Sequence, residues 1–378
     1  MGGGEKMQTQ LARELGVEFP IFAFTHCRDV VAGVSKAGGF GVLGVAGHSV
    51  QNVEKEINWI EQQIGDKPYG VDLLLPSKFA GSDQGGFDGT ELDRRIPSEH
   101  TDFLEKLLDD HGVPPLPDDF KLPREFQVGY ESQRELIEYL FSRKIKLIAS
   151  ALGPPPEWMI EEGRRHGVKV AALAGTVEHA RRHAEAGVDL IIAQGYEAGG
   201  HTGLVSTMVL VPEVVDAVAP LPVLAAGGIG DGRQVTASLA LGAQGVWCGS
   251  LWLTTEEAET EPVVKEKFLA AGSSDTLRSR SLTGKPARQL RSAWTDAWED
   301  PANPDPLPMP LQPRLVREAQ ARIRRTAHKV EGSRQLSNYF VGQIVGSMNE
   351  VKSVRRVMEG LVEGYADTMS RLDDIADL

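Results

Sequence analysis

The chain has 378 residues, 41% of them hydrophobic, enough to bury a large core as one barrel-sized domain or two smaller ones. A net charge of −13 disfavours a nucleic-acid partner, which would need a basic face, and two cysteines, Cys27 and Cys248, cannot build a disulfide scaffold. A reducing cytoplasm is the expected setting: no apolar run reaches the ~18–20 residues of a membrane helix, and Met1-Gly2-Gly3-Gly4 precedes no hydrophobic signal segment.

In chain order, Phe19-Pro20-Ile21-Phe22-Ala23-Phe24 reads as a first strand. Asp29 can cap a helix that carries Val30, Val31 and Val34 on one side. Ala37-Gly38-Gly39 stops that helix before a second strand over 40–45. Val53, Ile57, Ile60 and Ile64 recur at helical spacing, and a third strand over 69–75 ends at Pro76. The segment from Ser77 to Tyr130 breaks this rhythm with Gly-rich and acidic patches and with Pro114, Pro115 and Pro117; one short helix is expected at 101–110. It reads as an insertion too polar to bury its own core, either a lid or substrate wall over the site or a disordered surface loop.

The alternation then resumes. Helices over 131–143, 157–166, 177–186, 211–219 and 233–241 interleave with strands over 145–150, 168–173, 188–193, 222–226 and 245–248. Eight strand–helix units over about 230 residues fit an α/β architecture of the (β/α)8 TIM-barrel type better than a doubly wound sheet. From Gly272 to Pro313 the chain reads as loop, with Arg278, Arg280, Lys285, Arg288 and Arg291. Helices near 315–329 and 350–372 complete the tail. The expected division is a barrel over 10–271, with the insertion at about 77–130, and a C-terminal extension over 272–378 packed on it.

The chemistry is concentrated in two glycine clusters. Gln194-Gly195-Tyr196-Glu197-Ala198-Gly199-Gly200-His201-Thr202-Gly203 begins where strand six ends, and four glycines there crowd one imidazole. Glycine is costly at such a place unless the backbone turns sharply or lies against a ligand. Ala225-Ala226-Gly227-Gly228-Ile229-Gly230-Asp231-Gly232 ends strand seven, and Trp247-Cys248-Gly249-Ser250 ends strand eight. Those adjoining loops are where barrels hold phosphate on backbone N–H groups. A ligand anchored there would cross the mouth past Gln194, Gly199, Ala23, Phe24 and Asp72. A flat flavin mononucleotide suits that path, whereas no Gly-x-Gly-x-x-Gly follows the first strand to mark a dinucleotide. His26, Cys27 and His48 form no set with metal-ligand spacing, so no metal is expected and His26 reads as a substrate contact. His166, His179 and His183 read as solvated helix residues.

Gln194-Gly-x-Glu-Ala-Gly-Gly-His-Thr-Gly, Ala225-Ala-Gly-Gly-Ile and the Ala37-Gly-Gly-Phe-Gly-Val-Leu-Gly turn resemble the nitronate monooxygenase (2-nitropropane dioxygenase) family. Thr283-Gly-Lys-Pro-Ala-Arg and Gly342-Gln343 are similar to that family's C-terminal signatures, so the likeness runs from about residue 10 to the end. The resemblance implies FMN on a TIM barrel with an added subdomain. By position, Gln194, Gly199 and Gly200 would meet the flavin ring and ribityl chain. Gly227, Gly228 and the run Trp247, Cys248, Gly249 and Ser250 would hold the phosphate end. His201 would be catalytic, and Ala23, Phe24 and Asp72 would line the flavin. Two departures stand out: the family has a Pro-Met pair after strand one and an Asn on strand three, where this chain has Ala23-Phe24-Thr25-His26 and Asp72.

The implied reaction is oxidation of a small-molecule alkyl nitronate with O2. The alternative is an NAD(P)H-dependent reductase of an enoyl thioester (CoA or ACP) or a quinone, since such enzymes share the scaffold. Outside flavin redox chemistry stand a barrel isomerase binding a sugar phosphate and a non-catalytic flavin-binding protein. A homodimer stays open, and neither a nucleic acid nor a membrane is an expected partner.

Overall fold

A computed structural model describes residues 7–76, 89–122 and 133–377. Eight parallel strands close into a barrel: β1 (Ile21–Thr25), β2 (Phe40–Gly44), β3 (Tyr69–Leu74), β4 (Leu147–Ala151), β5 (Lys169–Ala174), β6 (Leu190–Gln194), β8 (Val223–Ala226) and β9 (Gly245–Cys248). Between β6 and β8 lies β7 (Gly200–His201), a two-residue strand outside the barrel. Closure comes from β1 pairing with β9, Phe22 opposite Trp247 and Ala23 opposite Cys248. The (β/α)8 expectation is borne out. Among the described residues no helix is long and apolar enough to cross a membrane.

Side chains alternate across each strand and separate two apolar layers. Phe22, Phe40, Val42, Leu147, Ala149, Ala171, Leu190, Ile192, Leu224, Ala226 and Trp247 fill the interior. Ile21, Ala23, Val71, Leu73, Ile191, Ala193, Val246 and Cys248 face the surrounding helices. The short helix Gln10–Leu15 contributes Leu11, Ala12 and Leu15 to the interior layer, and Thr9 Oγ1, its cap, also bonds the Gln244 carbonyl just before β9. It therefore plugs the N-terminal end, which leaves the C-terminal ends of the strands as the open mouth.

Two expectations need correction. The stretch from Gly272 to Pro313 is not all loop: it holds β10 (Thr276–Ser279), β11 (Ala287–Leu290) and the helix Ala293–Glu299. Its strands were hard to see because Arg278 and Arg288 occupy positions where a strand pattern would carry apolar residues. His183 is not solvated: it is 4% exposed and its Nε2 pairs with the Leu173 carbonyl at 3.0 Å.

Part of the segment expected as an insertion lies outside the described residues, as do the chain's first six residues and the start of the helix expected from 131. Its described part forms helices Gly89–Arg95 and Ser98–Asp110. Leu104, Leu107 and Leu108 pack with Trp294, Trp298, Val316, Ala319 and Ile323 from the C-terminal region, so the two segments share a small apolar core that neither has alone. The Arg322 guanidinium fastens that contact, donating to the carbonyls of Val113 and Pro114.

Candidate functional site at the barrel mouth

Strand β6 runs apolar to its end and points Gln194 into the mouth, in register with Ala226 of β8. The backbone then turns: Gly195 N–H donates to the Ala226 carbonyl at 2.9 Å and Tyr196 N–H to that of Val205 at 2.7 Å. Glu197 holds the base of the loop, because Thr207 donates both its N–H and its hydroxyl to Oε2, each at 2.9 Å. The carboxylate thus caps the helix Thr207–Val218.

His201 is not on a free loop. Strand β7 pairs antiparallel with β11, His201 opposite Ala287 and Gly200 opposite Arg288, and β11 pairs in turn with β10. The C-terminal region therefore pins the imidazole. Its Nε2 lies 2.9 Å from Thr283 Oγ1, and that hydroxyl also donates to the Lys285 carbonyl at 3.1 Å. With the hydroxyl hydrogen on that carbonyl, the imidazole presents Nε2–H to Thr283 and keeps its lone pair on Nδ1. No partner for Nδ1 exists among the described residues. The ring is half-buried beside Phe340, 6.3 Å between centroids. Although part of its surface is open, the surrounding protein and then the Lys285 cation push its pKa down to about 4. At neutral pH the imidazole is an uncharged base.

Inside the mouth Trp247 lies between Phe22 and Phe24, near-parallel to both at 6.4 and 6.2 Å. Asp72, 6% exposed, falls between Gly44 and Ala149 in the strand register, with no hydrogen-bond partner for its carboxyl among the described residues. Burial alone raises its pKa well above the ordinary carboxylate range and so favours the protonated carboxyl. The side chains of Ala23 and Cys248 face the helix layer instead, and burial pushes the Cys248 thiol up to about 12. These two can offer a ligand only backbone.

The loop after β8 turns through Gly227 and Gly228, at φ +105° and +69°. A Cβ on Gly227 would sit 2.9 Å from Thr207 Oγ1 and 3.1 Å from the Gly195 carbonyl, so both conformation and space require glycine. The following helix, Gly232–Ala240, is already capped: Asp231 accepts from Arg233 and Gln234 N–H, while Gln234 Oε1 accepts from Gly230 and Asp231 N–H. The N–H groups of Gly228, Ile229 and Gly249 have no acceptor among the described residues. They form a short cradle of donors at the ends of β8 and β9. Ser250 Oγ beside it accepts from Gly342 N–H at 2.8 Å, and Gln343 N–H donates to the Glu197 carbonyl at 2.9 Å. A Cβ on Gly199 would be 2.8 Å from Gly342 N, so this C-terminal strap closes directly on the histidine loop.

The structure therefore brings Phe24, Asp72, Gln194, Gly199, Gly200, His201, Gly227, Gly228, Trp247, Gly249 and Ser250 to one end of the barrel. His26 stands at the rim, its Nδ1 3.0 Å from the Gly44 carbonyl and its ring edge-on to Phe24. Cys27, Asp29 and Glu259 place potential metal-ligating atoms within 4.8 Å of one another, a grouping that includes neither His26 nor His48. Burial raises the pKa of the Cys27 thiol, which donates to the Glu257 carbonyl.

Sequence reasoning missed Thr283 as the partner of His201 and Glu197 as the anchor of its loop. The only available signal was their place inside glycine-bearing motifs. Thr283→Val should leave the fold intact and lower kcat/KM about 2- to 10-fold, the worth of one hydrogen bond of roughly 0.5–1.5 kcal/mol, as measured by steady-state kinetics.

A family model described as nitronate monooxygenase matches residues 11–364. A Mycobacterium tuberculosis protein named as a monooxygenase is 58% identical over 372 residues, covering 98% of this chain and 99% of that one. A Staphylococcus saprophyticus protein named as a nitronate monooxygenase is 30% identical over 385 residues, covering 97% and 100%. Among solved structures, FabK from Thermotoga maritima superimposes with TM-score 0.72 at 27% identity, covering 97% and 99%. The nitroalkane oxidase of Streptomyces ansochromogenes gives TM-score 0.77 at 24% identity, covering 96% and 99%, a likeness of fold.

Proposed function

The chain belongs to the nitronate monooxygenase family, an oxidoreductase family that is flavin-dependent in general, and we propose that it is an FMN-dependent enzyme oxidising alkyl nitronates with O2. One observation carries this reading: unpaired backbone donors at the ends of β8 and β9 lie across the same mouth as an uncharged, pinned imidazole. A cytoplasmic setting matches the two free, buried cysteines.

The residues present suit the cofactor. The Gly228, Ile229 and Gly249 N–H groups would hold its phosphate beside the Gly227 turn, Gln194 would reach its ring, and the Phe24–Trp247 pair supplies an apolar wall. When bound, FMN would supply the one-electron redox chemistry and the reaction with O2. His201 Nδ1 accepts the α-proton of a nitroalkane or, once protonated, hydrogen-bonds the nitronate oxygen. Thr283 holds the ring in the tautomer that makes this possible. Burial favours the protonated form of Asp72, which would place no anion beside the ring and offer an O–H donor in its stead.

The likeness to FabK favours a second reading, an NAD(P)H-dependent reductase. Anaerobic rapid mixing of the FMN-loaded enzyme separates the two. Flavin bleaching by an alkyl nitronate, with NADPH inert on the same timescale, is the expected result. Fast bleaching by NADPH alone would replace the proposal with the reductase.

A further inference from the structure

The face of the β10–β11–β7 sheet turned away from His201 carries two arginines that the proposed reaction leaves unused. Strand alternation puts Arg288 opposite Gly200 on that face, while Ala287 shares the His201 face. Arg278 stands directly opposite Arg288 in the β10–β11 register, a position where like charges destabilise a ladder.

Both guanidiniums stack on one ring, with the Arg288 and Arg278 Cζ atoms 4.3 and 5.6 Å from the Tyr196 centroid. Arg288 is only 1% exposed. Its Nε donates to the Tyr196 carbonyl at 3.1 Å and its Nη1 to Thr276 Oγ1 at 3.0 Å; Arg278 Nη2 donates to the Thr202 carbonyl at 2.8 Å. Every one of these acceptors is neutral. Arg288 Nη2 and Arg278 Nε are buried with no acceptor, and neither arginine has a carboxylate partner among the described residues. A desolvated cation without a counter-charge is costly, and two side by side are more so. There is also room beside them: a Cβ on Gly200, opposite Arg288, would meet nothing within 4 Å.

We propose that Arg278 and Arg288, with Tyr196, form a binding site for a phosphoryl oxyanion on the sheet face opposite His201. Two guanidiniums approaching from separate strands suit a tetrahedral group with several oxygens better than a two-oxygen carboxylate. The arginines also hold the Tyr196 and Thr202 carbonyls, which flank His201 in sequence, so an anion between them tightens the loop that carries the imidazole.

The test is calorimetric titration of the full chain with inorganic phosphate at constant ionic strength, for wild type, Arg278→Gln and Arg288→Lys. On the proposed function the donor cradle after β8 and β9 would also take up phosphate, so the readout is the difference between variants. Arg278→Gln is expected to weaken one saturable phosphate site by roughly tenfold or more and leave any other unchanged. Arg278 is half-buried, so that variant stays informative should Arg288→Lys fail to fold. Methyl phosphate separates two sources: affinity equal to that of inorganic phosphate supports a phosphate carried on an organic tail, and a marked preference for inorganic phosphate supports a free ion. Phosphate binding identical in wild type and Arg278→Gln, or no saturable site in wild type, overturns the proposal.

Discussion

His201→Asn is expected to lower kcat/KM for a neutral nitroalkane by about 10²–10⁴-fold, the usual contribution of a positioned general base. The loss should be far smaller for a preformed nitronate, which needs no proton abstraction. Comparing the two substrates by steady-state kinetics separates the base from a merely structural role. The pH profile carries a second signature. Because the His201 pKa is pushed down to about 4, the enzyme-side limb of kcat/KM should stay flat from pH 9 to about pH 5 and fall only below that. Stability has the same origin. An unfolded histidine titrates near 6.5, so below that pH the unfolded chain takes up a proton that the folded ring refuses. This contribution is complete above pH 6.5 and is lost as pH falls towards 4. The melting temperature of His201→Asn should therefore decline less over that window than that of wild type.

Gly227→Ala should weaken FMN binding roughly 10- to 100-fold. The position sits at φ +105°, a strained conformation for alanine costing about 1–3 kcal/mol, and the added methyl would press on Thr207 Oγ1 at 2.9 Å. That hydroxyl donates to Glu197 and lies 3.0 Å from the Gly227 carbonyl, so the strain reaches the base of the histidine loop. Gly16→Ala is the matched control: Gly16 is also left-handed, at φ +72°, but lies at the opposite end with nothing within 4 Å of the new Cβ. It should lose stability and keep its flavin. Fluorescence titration of each apo-protein with FMN reads the difference.

The barrel was legible because its strands are short, nearly continuous apolar runs separated by helices with one apolar face. That is the pattern a parallel sheet buried on both sides imposes. The glycine clusters could be placed because they follow such runs directly. What pins the histidine could not be read. Strand β11 belongs to a basic stretch whose alternation is masked by Arg288 at a fully buried position, and its partner β7 is two residues long. Pairing across more than eighty residues leaves no local periodicity. The core shared by Leu104, Leu107, Trp294 and Ile323 was hidden for the same reason, since each segment looks too polar until it meets the other. Asp72 was visible as a departure from the family pattern, whereas the rise of its pKa comes from burial among strand neighbours brought together by closure.

In the proposed function, backbone donors at the last two barrel strands grip the terminal phosphate of a flavin whose ring would lie in the mouth by His201. Titrating the apo-protein with FMN and with riboflavin, which lacks only that phosphate, tests it most directly. Affinity for FMN about 100-fold or more above that for riboflavin is expected, the worth of one or two charge-assisted hydrogen bonds at roughly 1.5–3 kcal/mol each. Equal affinity for both, or no binding of either, would contradict it.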